Sequence, residues 1–309
     1  MDKEKNPLYR FLAPRYWLIW CGLGFLRLAI MLPYRWQLSV GRVIGRLGMR
    51  VIPARRLIAK RNLELCFPEL SVHEKAALLL QHFESLGIAL IEGALCWWAS
   101  DKMLEPLVQI EGLEHVEKVL ERGKGAIMLT GHFAALDLGG RILTTRMSVS
   151  PMYRPHRNPL FDEIVRRGRA RHSTPIPKTN VRGILRALKR NDAIWFAPDQ
   201  SHRRRHSANV PFFSVPAPTN TATSTFARAS GASVLPFFPE RLANGQGYRL
   251  IIKPPLEDFP GSDPAEDAAR INRLLEQEIR RIPEQYLWVH RRFKLTGPDD
   301  IDHYADIRP

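Results

Sequence analysis

The stretch GAIMLTGHFAALDLGGRIL, residues 125–143, decides the fold. AIMLT at 126–130 is a short, unbroken apolar run of the kind that forms a strand buried on both faces. Gly131 follows as a turn, and an apolar helical pattern starts near Ala134. A strand, a turn and a helix in that order are half of a βαβ unit. His132 then sits in the loop and Asp137 in the first turns of the helix. Five residues apart, the two point away from each other on a single helix and to opposite faces of a single strand. A loop at the strand's end lets the carboxylate fold back on the imidazole, and the pair is expected to act as a general base held in one tautomer by an acid. Such a base activates a hydroxyl for attack on an acyl carbon.

The same alternation continues along the chain. Ser71 and Glu74 form a capping box that opens a helix running to about Trp98. Strands are predicted at 107–111, 126–130, 148–153, 193–197, 233–238 and 249–253, separated by helical stretches, and a last helix covers DAARINRLLEQEIRRI. The expected fold is α/β, with a mostly parallel central sheet flanked by helices. Chemistry in such sheets gathers at the carboxyl ends of the strands. His132, YRPHRNP at 153–159, APDQ at 197–200 and VLPFFPER at 234–241 are therefore expected along one edge.

The chain has 309 residues, 45% of them hydrophobic, with 46 Lys and Arg against 31 Asp and Glu, a net charge of +15. This excludes disorder and calls for an anionic partner: nucleic acid, a membrane surface or a charged substrate. Cys21, Cys66 and Cys96 lie far apart and suggest neither a disulfide framework nor a zinc site. WLIWCGLGFLRLAIML, residues 17–32, carries one charge, Arg27. As a helix it covers about 24 Å, short of a hydrocarbon core of ~30 Å. It is expected to anchor the protein, spanning the bilayer or lying in its interface; a buried core helix is the competing reading. Arg35, Arg42, Arg46, Arg50, Arg55, Arg56, Lys60 and Arg61 follow with no acidic residue among them, which suits an anionic leaflet and places the downstream domain on the cytoplasmic side. No nucleic-acid module is visible. The expected division is an anchor at 1–34 and a catalytic domain at 35–309.

The ordered blocks H-x4-acid, YRPHRNP, FAPDQ, VLPFFP and PEQYLWVHRRFK resemble the lipid A biosynthesis secondary acyltransferases, the lauroyl and myristoyl transferases within the wider glycerolipid acyltransferase group, over most of the chain. The resemblance implies a glycerolipid acyltransferase-like fold. It also implies a membrane-associated enzyme of the inner membrane that moves an acyl chain from acyl carrier protein to a hydroxyl of a lipid A precursor, in lipopolysaccharide biosynthesis. It makes His132 the base and Asp137 its orienter. Arg154 and Arg169 become contacts to substrate phosphate, with Arg157 and Asn158 on the same expected edge. Asp199 and Gln200 line the site, and Pro236 shapes a pocket. No cofactor or metal is implied beyond the acyl carrier protein as co-substrate; the partners are that carrier, an anionic glycolipid and the membrane lipids. Members of this branch often carry Glu where Asp137 stands. Two alternatives remain: a glycerol-phosphate or lysophosphatidate acyltransferase, against which stands APDQ in place of an EGTR-type block, and a non-catalytic protein that binds lipid headgroups. HRRRH at 202–206 is either a solvated loop or a headgroup contact, and Arg291 to Phe293 reads as structural packing.

Overall fold

A computed structural model of the chain describes residues 7–201, 207–294, 297 and 301–307; the basic HRRRH run lies outside them. The chain enters through four helices, α1 (Trp17–Ala29), α2 (Tyr34–Val51), α3 (Pro53–Cys66) and α4 (Val72–Trp98). The short α5 (Asp101–Leu104) leads into β1 (Val108–Glu111), α6 (Leu113–Glu121), β2 (Ala126–Leu129), α7 (Leu136–Leu143), β3 (Val149–Tyr153) and α8 (Pro159–Arg169). Then come β4 (Ile176–Pro177), α9 (Val181–Lys189), β5 (Ala193–Phe196) and the strands β6 (Ser207–Phe212) and β7 (Val215–Asn220). The last elements are α10 (Ala222–Ser230), β8 (Ser233–Arg241), β9 (Tyr248–Ile252) and α11 (Pro264–Arg281).

Seven strands form one sheet in the order β1-β9-β8-β2-β5-β3-β4. Every neighbouring pair is parallel except β8 with β9. All four residues of β2 are buried. Ile127 and Leu129 join the core on one face, while Ala126 and Met128 join that on the other. The period of two thus sends apolar side chains both ways, as a strand covered on both faces requires.

The six anticipated strands are present within a few residues of their expected limits. The capping box forms as well: Glu74 N–H donates to Ser71 Oγ at 3.2 Å and Ser71 N–H to Glu74 Oε2 at 2.7 Å. Helix α2 lies so close to α4 that a Cβ on Gly45 would stand 2.0 Å from the Phe83 carbonyl oxygen. This backbone contact makes α2 part of the packed fold.

One feature departs from expectation. The antiparallel pair β6–β7 is studded with Pro211, Pro216 and Pro218, residues that argue against strands because they cannot donate to a ladder. Its two-residue turn places Phe213 and Ser214 at φ 51° and 64°, the left-handed values of a primed hairpin turn, without a glycine. Tertiary packing holds it: the Phe213 ring lies against Phe67 and Trp288, with the Arg280 guanidinium 4.8 Å from its centre. The segment expected as an anchor opens with a helix. Helix α1 is 13 residues long, about 20 Å, and it lays Leu23 and Ala29 into the fold. Trp17, Leu18, Phe25 and Leu28 remain exposed on it. Among the described helices, the one long and apolar enough to cross a membrane is α4, and 61% of its apolar window is buried inside the protein.

Candidate active site

Strands β2 and β5 are parallel neighbours in register, Leu129 opposite Phe196. The ladder continues one step further, with Thr130 N–H donating to Phe196 O at 3.0 Å. Each strand then turns into a loop, and each loop places a functional residue three positions beyond the last strand residue: His132 after Leu129 and Asp199 after Phe196. The two meet. His132 Nδ1 lies 2.5 Å from Asp199 Oδ1, and the His132 backbone N–H donates to Asp199 Oδ2 at 2.8 Å. Tyr286 lines the same recess, and its hydroxyl favours the ionised form of this carboxylate.

This geometry fixes the chemistry of the imidazole. Asp199 is 1% exposed and the His132 side chain 27%, so the carboxylate is buried behind a ring that solvent reaches. With Nδ1–H donating to Asp199, Nε2 keeps its lone pair and is the atom able to take a proton. Burial pushes the His132 pKa down, but the charge of Asp199 and its hydrogen bond outweigh this and hold it above the ordinary histidine value. Burial likewise pushes Asp199 up; the His132 charge, its ring and amide hydrogen bonds and the Tyr286 hydroxyl prevail and hold it at about 2. Asp199 is therefore ionised at any physiological pH.

A C-terminal segment closes the site. Leu287 N–H donates to His132 O at 2.9 Å, Ala134 N–H to Gln285 O at 2.7 Å, and Phe133 bridges to Tyr286. Asn62 on α3 clamps that segment by donating to the carbonyls of Trp288 at 2.6 Å and His290 at 2.8 Å. His132, Asp199, Gln200, Tyr286, His290 and Arg292 line one recess.

The expected contact between His132 and Asp137 is not made. Asp137 stands in the first turn of α7 and pairs with Arg169 at the end of α8, Oδ1 to Nη2 at 2.6 Å. Its charge still reaches His132, as the smallest of the influences raising that pKa. The carboxylate that orients the imidazole is Asp199, because adjacent strand ends superpose their loops, whereas α7 carries Asp137 toward α8. Arg169 is brought near the site through this pair. Arg154 and Arg157 are exposed in the loop after β3. Asn158 caps α8, its side chain accepting from Phe161 N–H at 3.1 Å. Gln200 lines the recess, while Pro236 lies within β8 opposite Leu129, buried and outside the recess.

Sequence reasoning placed PEQYLWVHRRFK in its pattern without assigning Tyr286 or His290 to the site, and passed over Asn62. No local spacing marks them. Arg292 is structural as expected: it is buried and donates to Pro218 O at 2.8 Å and Thr219 Oγ1 at 2.7 Å, tying β7 to the site's floor.

Residues 4–295 match the family described as "Bacterial lipid A biosynthesis acyltransferase". The chain is 41% identical over 286 residues to the lipid A biosynthesis palmitoleoyltransferase of Escherichia coli (strain K12), covering 92% of this chain and 93% of that protein. It is 39% identical over 292 residues to the lipid A biosynthesis lauroyltransferase of the same organism, covering 94% and 95%. Among solved structures, it is similar at a TM-score of 0.38 and 14% identity to the 1-acyl-sn-glycerophosphate acyltransferase PlsC of Thermotoga maritima, covering 76% of this chain and 99% of that one. A match over nearly the whole chain, with these two relatives of known name, places the protein in the bacterial lipid A biosynthesis acyltransferase family, and it is an acyltransferase of lipid A biosynthesis.

Proposed function

We propose that the protein transfers a fatty acyl chain from the thioester of acyl carrier protein to a hydroxyl of a phosphorylated lipid A precursor, at the cytoplasmic face of the inner membrane and without a cofactor. The observation that carries this reading is the 2.5 Å pair of His132 and Asp199 at the carboxyl edge of the sheet. His132 Nε2 removes the proton of the acceptor hydroxyl as its oxygen attacks the thioester carbon. The C–S bond then breaks, and the carrier's thiolate takes the proton back from the imidazolium. Asp199 stays ionised throughout and stabilises that imidazolium. Arg154 and Arg157, exposed after β3, supply planar forks suited to the acceptor's phosphates. The net charge of +15 favours encounter with an acidic carrier.

The test offers the purified protein acyl carrier protein charged with lauroyl or palmitoleoyl chains, together with the tetra-acylated lipid A precursor. Mass spectrometry should show the precursor gaining one acyl chain. Glycerol phosphate acylated in its place would move the protein to the glycerolipid branch. Absence of transfer to any acceptor, with the protein folded, would leave a headgroup-binding role.

For membrane attachment the exposed face of α1 and α2 supports an interfacial position. Leu18 is 85% exposed, Met31 74% and Trp36 65%, and Val43, Leu47 and Val51 continue the apolar surface beside Arg35, Arg42 and Arg50. Apolar side chains flanked by arginines are the pattern of a helix lying in the headgroup layer of an anionic leaflet. Replacing Trp17, Leu18, Phe25 and Leu28 together by Ser leaves the buried face of α1 intact. It should weaken binding to vesicles containing anionic lipid, and salt should strip what remains because exposed charge is screened. Undiminished binding in molar salt by this variant would refute the interfacial reading.

A further inference from the structure

Acyl transfer needs a second function besides the base: a hydrogen-bond donor for the oxygen that becomes negative when the thioester carbonyl is attacked. Backbone amides often serve. Five amides beside this base are already engaged: His132 N–H donates to Asp199, Phe133 N–H to Gly131 O, Ala134 N–H to Gln285 O, Leu287 N–H to His132 O and Trp288 N–H to Tyr286 O. The Asn62 amide is committed to two carbonyls.

His290 is different. It lines the recess with His132, and its Nε2 accepts a hydrogen bond from Ser201 N–H at 3.1 Å. A backbone amide can only donate, so Nε2 must present a lone pair, and a neutral ring must then carry its proton on Nδ1. Among the described residues no acceptor engages that Nδ1–H. Ser201 N–H holds the ring at Nε2, and Asn62 holds the residue's own backbone carbonyl.

We propose that His290 is the oxyanion donor: its Nδ1–H hydrogen-bonds the thioester carbonyl oxygen as the acceptor attacks. This rests on the acyl-transfer reading above. The acceptor's O–H proton passes to His132 Nε2 while the new O–C bond forms and the carbonyl π pair moves onto oxygen. His290 stabilises that oxyanion without giving up its proton. The C=O bond then re-forms as the C–S bond breaks. Burial, with the nearby charges of Lys294, His132 and Arg292, holds the His290 pKa down to about 4 despite Asp199, so the ring is neutral at working pH. A neutral imidazole is a suitable electrophilic donor because it does not compete as an acid with the imidazolium of the base.

Two substitutions separate donation from mere support. In His290→Asn the side-chain NH₂ takes the place of Nδ1–H but does not reach Ser201. In His290→Gln the amide oxygen reaches Ser201 N–H but leaves the Nδ1 position empty. Loss of one oxyanion donor costs about 10²- to 10³-fold in kcat. With acyl carrier protein as donor and the lipid A precursor as acceptor, His290→Gln and His290→Ala should lose that factor in kcat with little change in KM. His290→Asn should stay within about tenfold of the native enzyme on the same scale. Gln equal to or better than Asn, Asn no better than Ala, or all three near native activity would overturn the assignment. A measurement on the native protein keeps the idea testable if the variants do not fold: ¹⁵N spectra of histidine-labelled enzyme should show His290 neutral with its proton on Nδ1, and a proton on Nε2 would overturn it. If the native enzyme transfers nothing to the precursor, the function is misread. If it does, His132→Ala abolishes transfer and the Asn-over-Gln order fails, only the role of His290 is wrong.

Discussion

His132→Ala should lower kcat by about 10²- to 10⁴-fold, the contribution of a positioned general base, or by more. The expectation follows from the atom that is lost. Nε2 is the proton-accepting atom that the Asp199 pairing leaves free, and the other carboxylate near the ring, Asp137, is tied to Arg169. The fold should survive, because the loop's backbone contacts, His132 N–H to Asp199 and Leu287 N–H to His132 O, do not involve the imidazole. Steady-state transfer assays beside circular dichroism and a melting curve check both halves. Turnover near the native rate from a folded protein would remove His132 from the mechanism. Since base and orienter act as one unit, the His132→Ala, Asp199→Asn double variant should be no slower than the poorer single variant.

That Asp199 belongs in this unit shows where the chain's pattern is readable and where it is not. The strand at 126–129 is legible because four consecutive buried residues leave no other economical arrangement between turn signals, and the capping box at Ser71 and Glu74 is a local hydrogen-bond exchange that any sequence window contains. Asp137 lies in such a window beside His132, so spacing alone favours it. Asp199 is 67 residues away, and only the pairing of β2 with β5 gives the two loops equal offsets from their strand ends. The APDQ block marked the position as lining the site, yet not as the histidine's partner. The β6–β7 hairpin was hidden for the opposite reason: its prolines signal loop, and the anchorage of Phe213 among Phe67, Trp288 and Arg280 overrides that signal with contacts from distant segments. Hydropathy found the apolar character of α1, but a sum over residues does not say which face of a helix is covered. Leu23 and Ala29 turn inward while Leu18 and Leu28 turn out.

Asp199→Asn is the sharper test, because it keeps the shape and changes only what the oxygen atoms can do. Two donors bond this carboxylate, the His132 ring and the His132 backbone N–H, and the Tyr286 hydroxyl favours its charge. Asparagine offers one oxygen and one NH₂. If the oxygen stays on the backbone N–H, the NH₂ meets Nδ1 and drives the imidazole proton to Nε2, which removes the base; if the oxygen serves the ring, the buried backbone N–H faces another donor. Either outcome should lower kcat by about 10²- to 10⁴-fold. The pH profile supplies the sign. The base works when neutral, so kcat/KM of the native enzyme should rise with pH through the raised pKa of His132, above the ordinary histidine value. Asp199, held at about 2, titrates far below that limb and does not contribute to it. In Asp199→Asn the carboxylate charge is gone and burial, which pushes His132 down, is left as the main influence, so the limb of the residual activity should move to lower pH. Asp137→Asn should leave the limb close to its native position, since its charge is the smallest of the influences raising His132. A limb that shifts down in Asp137→Asn and stays in place in Asp199→Asn would reverse the assignment and make Asp137 the orienting carboxylate in the working enzyme.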